Sequence, residues 1–383
     1  MEETKIKRAR EAALQFALYG DLESIAPFGG GHINDTFVSV WNQAGTRVRY
    51  VHQRINASVF LHPEEVMENI RRVTEHIAAK FRDAPDRSRR TLTVVPARSG
   101  AAYIRDPQGG WWRTYLFIEG ARSLDVTSSP GTATFLGKSI GAFQKLLADL
   151  PPPRLYETIP DFHNMETRYV RFHKAVAEDA FRRAALSAPE IEFMRENETR
   201  GGILVRALRS GAIPERICHN DTKMNNILLD DRLFGRADGN FDPAGEFLDL
   251  QNRDEKIFCV GDLDTVMPGT CLFDVGDLIR TVCASAPEDE IDLAKVRFDP
   301  VFLKALLDGY LSEADEFLTL EEKNLILESG RNITQIMALR FLTDFLEGDH
   351  YYPIAREGHN LDRCRNQIAL IKSLDAQGDS LSF

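Results

Sequence analysis

Hydrophobic periodicity shifts from mainly strand-like before residue 118 to mainly helical after Ser129, and that shift constrains the fold class more than any other feature. Between Thr36 and Ile118, outside a helix that starts at Pro63, the apolar residues fall in short runs of period two, rich in Val, Tyr, Phe and Thr and bounded by glycine and polar turns. Thr36 to Trp41 and Arg47 to His52 read as a hairpin across a turn containing Asn42 and Gly45. Thr91 to Pro96, Ala101 to Arg105 and Trp111 to Ile118 read as three further strands, the last two joined across Asp106 to Gly110. A helix is expected over residues 3 to 18. Another starts at Pro63, with Glu64 and Glu65 at its positive end, and runs to about Phe81. After Ser129 the period lengthens: Leu136, Ile140, Phe143, Leu147 and Leu150 recur at helical steps until Pro151, Pro152 and Pro153 end the stripe. The rest is mainly helical, with strand-like stretches at 227 to 229 and 257 to 263. The expectation is therefore α+β: an N-terminal five-stranded antiparallel sheet with a helix over residues 1–118, and a larger, mainly helical part over residues 119–383.

Composition removes several classes of function. The chain has 383 residues, enough for two or three domains and compatible with two lobes around a cleft. Its net charge of -11 lacks the basic footprint of a nucleic-acid binder or of a protein that docks on anionic membranes. Cys218, Cys259, Cys271, Cys283 and Cys364 are odd in number and widely spaced, which suggests reduced, buried thiols rather than disulfides or a thiolate zinc site. The charged N-terminus shows no apolar leader and no run approaches a membrane span, so a cytoplasmic location is the default expectation.

The chemistry concentrates in His219-Asn220-Asp221-Thr222-Lys223-Met224-Asn225-Asn226, which fits H-x-D-x-K-x-x-N. Phosphoryl transfer from ATP needs phosphate cradling, magnesium ligands and a carboxylate to orient the attacking hydroxyl. Here Asp221 would take the hydroxyl proton, Lys223 would neutralise charge on the transferring phosphate, and Asn226 would offer Mg2+ a hard amide oxygen. An apolar strand ending in Asp262 and Asp264 would add a metal carboxylate. Strand alternation would put both side chains on one side, Asp262 as the firmer ligand and Asp264 as a further one. The run Phe28-Gly29-Gly30-Gly31-His32 is expected at a hairpin tip, where Gly30 and Gly31 could bring backbone N–H groups to phosphate and His32 could face a cleft. One part is missing. Where a phosphate-pairing lysine would be expected on the third strand, the sequence offers Gln53 or Arg54.

These residues together resemble the aminoglycoside phosphotransferase and choline kinase-like group, and within it the bacterial N-acetylhexosamine 1-kinases. The resemblance runs through G-H-I-N at Gly31 to Asn34, the run from His219, D-L-D-T-x-M-P-G from Asp262 and L-F-D-x-G-D-x-I-R from Leu272 to Arg280. It continues through Met337 to Asp349, then Tyr351 and His359-Asn360-Leu361. It implies a bilobal protein-kinase-like fold and ATP-dependent phosphorylation of the anomeric hydroxyl of N-acetylglucosamine or N-acetylgalactosamine. It also implies sugar contacts at His32, Asp221, Arg340 and Tyr351, magnesium at Asn226 and Asp262, and an adenine-contacting hinge from Trp112 to Gly120 that includes Phe117 and Glu119. The expected partners are ATP and a small sugar, with no nucleic acid and no membrane.

Other residues carry plainer expectations. Arg340 and Asp344 are spaced as a helical ion pair. Asp277 is expected to bracket the catalytic loop by accepting backbone hydrogen bonds, and His219 to fix that loop. The 231–256 segment is longer than a hairpin connection requires and leaves sugar preference open. Two alternatives remain: a kinase of the same fold acting on an aminoglycoside, choline or another amino-alcohol, or a nucleotide-binding pseudokinase without turnover.

Overall fold

The computed structural model describes residues 2–29, 33–124, 127, 129–231 and 258–377. The expected Gly30, Gly31 and His32, and the 231–256 segment beyond Asp231, lie outside the described residues. The chain forms two compact units, one of residues 1–123, 149–160 and 226–268 and the other of residues 124–148, 161–225 and 269–383.

The first unit is built on an antiparallel sheet in the order β1-β2-β3-β6-β4, with β5 also pairing β6. Its strands are β1 (Asp21–Pro27), β2 (Asp35–Gln43), β3 (Thr46–Ile55), β4 (Val94–Val95), β5 (Ile104–Arg105) and β6 (Trp111–Leu116). The sheet has six strands instead of the expected five. The addition is β1, an edge strand with a register shift between Leu22 and Ser24 that interrupts the period-two signal. Ala44 and Gly45 turn the β2–β3 hairpin, both with positive φ, and the Asn42 side chain accepts from the Gly45 N–H at 2.7 Å. Helix α1 (Glu2–Ala13) lays Ala9, Ala12 and Ala13 on Phe37, Trp41, Tyr50 and Trp112, small side chains that let it approach the aromatic face.

Helix α2 (Pro63–Lys80) begins at Pro63 as expected and buries Val66, Met67, Ile70, Val73 and Ile77. Its buried Asn69 donates to the carbonyls of Tyr156 and Val266 and accepts from the Tyr156 N–H, tying three stretches of the unit together. A second sheet joins β7 (Ala121–Arg122), β9 (Ile227–Asp230) and β10 (Phe258–Val260), with Val260 opposite Ile227.

The second unit is mainly helical and carries the strand β8 (Arg216–Cys218), with α3 (Pro130–Leu147), α4 (Met165–Glu178), α5 (Ala188–Gly201), α6 (Ile203–Ser210), α7 (Cys271–Val282), α8 (Pro300–Ala314), α9 (Leu320–Asn324), α10 (Ile326–Leu346) and α11 (His359–Asp375). Ser129 caps α3 through the Thr132 N–H, and Leu136, Ile140, Phe143 and Leu147 are its buried stripe, as the spacing predicts. Helices α7 and α10 meet through glycines: a Cβ on Gly276 would lie 2.6 Å from the Ser329 carbonyl oxygen, and one on Gly330 would lie 2.4 Å from Ile279. All five cysteines are buried and none is disulfide-bonded. No described helix is long and apolar enough to cross a membrane.

Two buried histidines link stability to pH. His52 lies between the Ser39 and Thr114 hydroxyls, and His163 holds a backbone carbonyl; burial pulls each down to about 4 from 6.5. Below pH 6.5 the unfolded chain binds protons that the folded chain refuses, so stability falls from about pH 6.5 to pH 4. Urea unfolding should lose about 2 kcal/mol per histidine between pH 7 and pH 5, and His52→Gln should remove its share of that loss. An equal pH dependence in the variant would contradict the assignment.

Candidate active site

Strand β8 delivers the chain into a loop that is held from beneath by one carboxylate. Asp274, fully buried in the first turn of α7, accepts from the backbone N–H groups of His219 at 3.0 Å and Asn220 at 2.7 Å, and from Gln144 Nε2 at 2.9 Å. The Thr222 hydroxyl donates to the Asp274 carbonyl at 2.7 Å. Burial raises the Asp274 carboxyl, while His219, Gln144 and the two amides pull the other way. Asp277 does not take the bracketing role expected of it. Asp277 pairs with Arg280 at 2.9 Å, and the bracketing role belongs to Asp274, three residues earlier on the helix. Asn220 takes a positive φ of 66°, and its carbonyl accepts from His163 at 2.8 Å. His219 is buried and its Nδ1 accepts from the Asp221 N–H at 3.3 Å, the loop-fixing part expected of it.

Asp221 emerges half-buried from this support, and Lys223 Nζ stands 3.4 Å from its Oδ2. A carboxylate beside a mobile ammonium can accept a proton from a hydroxyl while the cation faces phosphate oxygens.

In the first unit, Asn226 and Asp262 come to the same end of the β9–β10 ladder, where the Gly261 N–H donates to the Asn226 carbonyl at 2.7 Å. The strand stops at Val260. Asp262 is left-handed with φ 47°, and Leu263 to Thr265 form a 3-10 turn, so the expected same-side alternation of Asp262 and Asp264 does not occur. Asp262 is exposed and Asp264 is buried. An amide oxygen and an exposed carboxylate are hard donors that fit magnesium, which takes few protein ligands and fills its shell with phosphate and water. Asp264, the further metal ligand expected from the sequence, accepts from Asn34 Nδ2 at 2.6 Å on one oxygen and pairs with Arg113 on the other.

Arg113 is the residue sequence reasoning missed. It faces Gln53 across the β3–β6 register, donating to Gln53 Oε1 from Nε at 2.9 Å and Nη2 at 2.7 Å. It is 1% exposed, and although burial alone would lower its pKa, the Asp264 and Asp262 carboxylates raise it. The expected Gln53 is therefore the partner of a buried cation on the next strand, and the expected Arg54 pairs with Asp35 at 2.8 Å. Glu119 is held by Arg49 at 2.7 Å; the Arg49 guanidinium lies 3.8 Å from the Phe117 ring centroid, and Phe28 packs edge-on to that ring.

In the second unit, Arg340 and Tyr351 line one pocket together with Arg168, Arg171, Asp344 and Tyr352. The Arg340–Asp344 ion pair does not form. Asp344 instead accepts from the backbone N–H groups of His350, Tyr351 and Tyr352 and from Asn360 Nδ2, all at 2.8–3.0 Å.

A family model described as "Phosphotransferase enzyme family" matches residues 24–238, more than half of the 383 residues. Among solved structures, the chain is similar to a microcompartment-associated aminopropanol kinase, with TM-score 0.56 and 13% identity over 98% of each chain. It is also similar to choline kinase from Cryptosporidium parvum Iowa II, with TM-score 0.55 and 13% identity over 98% of this chain and 97% of that one. A spectinomycin phosphotransferase in complex with ADP and spectinomycin matches with TM-score 0.51 and 11% identity over 100% of this chain and 99% of that one. At such identities the likeness establishes a kinase-like fold.

The buried Arg113–Asp264 pair yields a stability test. Arg113→Met strands a buried carboxylate and should cost about 3–5 kcal/mol in chemical denaturation, whereas Arg113→Met combined with Asp264→Leu should recover most of that loss. Additive losses in the double variant would show that the two side chains act independently.

Proposed function

The chain belongs to the phosphotransferase enzyme family, and on that premise we propose that it transfers the γ-phosphoryl group of ATP to the anomeric hydroxyl of an N-acetylhexosamine, N-acetylglucosamine or N-acetylgalactosamine, to give the sugar 1-phosphate. The observation that carries this reading is the Asp221–Lys223 pair on a loop held by Asp274. In the reaction the acceptor oxygen forms a bond to the γ-phosphorus as the bond to the ADP oxygen breaks, and Asp221 takes the hydroxyl proton. Lys223 balances charge on the moving phosphoryl group. Asn226 and Asp262 would hold magnesium, which when bound neutralises the phosphate oxygens.

The remaining roles follow from residue chemistry. Arg113 is buried against Asp264 and Gln53, and turnover rather than a pseudokinase is favoured by the presence of Asp221, Asn226 and Asp262. Phe28 and Phe117 offer an aromatic edge for adenine near Glu119, and Gly30 and Gly31 are proposed to cradle phosphate. His32, Asp221, Arg340 and Tyr351 are proposed to hold the sugar. The sugar assignment itself rests on the sequence strings shared with N-acetylhexosamine 1-kinases, chiefly those around Arg340 and Tyr351.

Sugar-stimulated ADP release by the wild type and by Asp221→Asn tests the reading. The variant should retain nucleotide binding and lose about 10²-fold or more in turnover. Unchanged turnover would remove Asp221 from the chemistry.

A further inference from the structure

The pocket of the second unit has an unbalanced charge. Its one acidic lining group among the described residues, Asp344, has both oxygens engaged by backbone and amide N–H groups. Arg171 is paired with Glu347 at 2.9 Å. Arg168 and Arg340 have no carboxylate partner among the described residues. Arg168 donates from Nη2 to the Phe162 carbonyl at 2.9 Å, but its Nε is buried without an acceptor, and so is the Tyr352 hydroxyl. Arg340 meets the Met337 sulfur at 3.6 Å and the Tyr351 hydroxyl at 3.5 Å, and lies 5.3–5.6 Å from the ring centroids of Phe162, Tyr351 and Tyr352.

Two guanidinium groups held together without a counter-ion repel each other and lose hydration. Burial, with the charge of Arg340 second, brings Arg168 down to about 10, so Arg168 remains protonated at neutral pH. Buried donors without acceptors call for an oxygen from outside the chain. The aromatic rings favour an apolar or planar group beside it.

We propose that Arg168 and Arg340 form an oxygen-reading subsite that selects the acceptor by charge, admitting a neutral acyl carbonyl or an anionic oxygen and refusing a protonated amine. This rests on the reading that the pocket receives the acceptor. Arg168 is then a specificity-determining residue: in an N-acetylated sugar the acyl oxygen accepts from its guanidinium, whereas the ammonium of the free amino sugar meets two like charges. The subsite separates N-acylated acceptors from choline, amino-alcohols and aminoglycosides, which all present a cation.

The test compares kcat/KM for N-acetylglucosamine against glucosamine and N-acetylgalactosamine against galactosamine, with choline as a third cation, in wild type, Arg168→Met and Arg168→Lys. Isothermal titration in the presence of ADP ranks the same compounds where turnover is silent. The wild type should favour the N-acetyl member by about 10²-fold or more, Arg168→Met should narrow that ratio at least about tenfold, and Arg168→Lys should preserve most of it. A wild type that prefers a cationic member overturns the proposal, as does an Arg168→Met variant with an unaltered thermal midpoint and an unaltered ratio. If the wild type ignores both N-acetyl sugars yet takes another neutral or anionic acceptor and refuses the amines, the sugar assignment falls and charge selection stands.

Discussion

The candidate site depends on one buried carboxylate. Asp274 accepts the backbone N–H groups of His219 and Asn220, two donors that a sharp loop with a left-handed Asn220 cannot satisfy within itself. Because α7 carries that carboxylate and packs closely on α10 through Gly276 and Gly330, the loop geometry is set by the helical core. His163 holds the same loop by the Asn220 carbonyl, and burial keeps that imidazole neutral. Asp221 thus follows a backbone turn held by hydrogen bonds at His219 and Asn220.

The first unit solves a related problem with opposite charges. Burying Arg113 would be costly alone, but Asp264 pairs with it, Gln53 accepts two of its N–H groups and Asn34 satisfies the remaining carboxylate oxygen. The network ties β3, β6 and the turn after Asp262 together. It engages both oxygens of Asp264 and leaves Asp262 as the exposed carboxylate.

The α+β class and most elements were legible because they depend on local periodicity: the β2–β3 hairpin, the proline start of α2 and the buried stripe of α3 all follow from neighbouring residues. The H-x-D loop was legible as a motif, since its chemistry-bearing residues lie within one short run. What escaped depends on packing between distant segments. Gln53 and Arg113 are sixty positions apart and meet only by strand register. Asp274 and Asp277 lie in one helix and carry the same side chain; only the placement of the loop against α7 decides which one holds it. The bulge in β1 hid a strand, and the three amides that engage Asp344 removed the ion pair that its spacing from Arg340 suggests.

Phosphoryl transfer to an anomeric hydroxyl is tested most directly by phosphorus NMR of the product formed from ATP and an N-acetylhexosamine. The account predicts an acid-labile, alkali-stable sugar phosphate whose phosphorus signal is a doublet coupled to H1. Phosphate on a ring hydroxyl, or turnover confined to cationic acceptors, would contradict it.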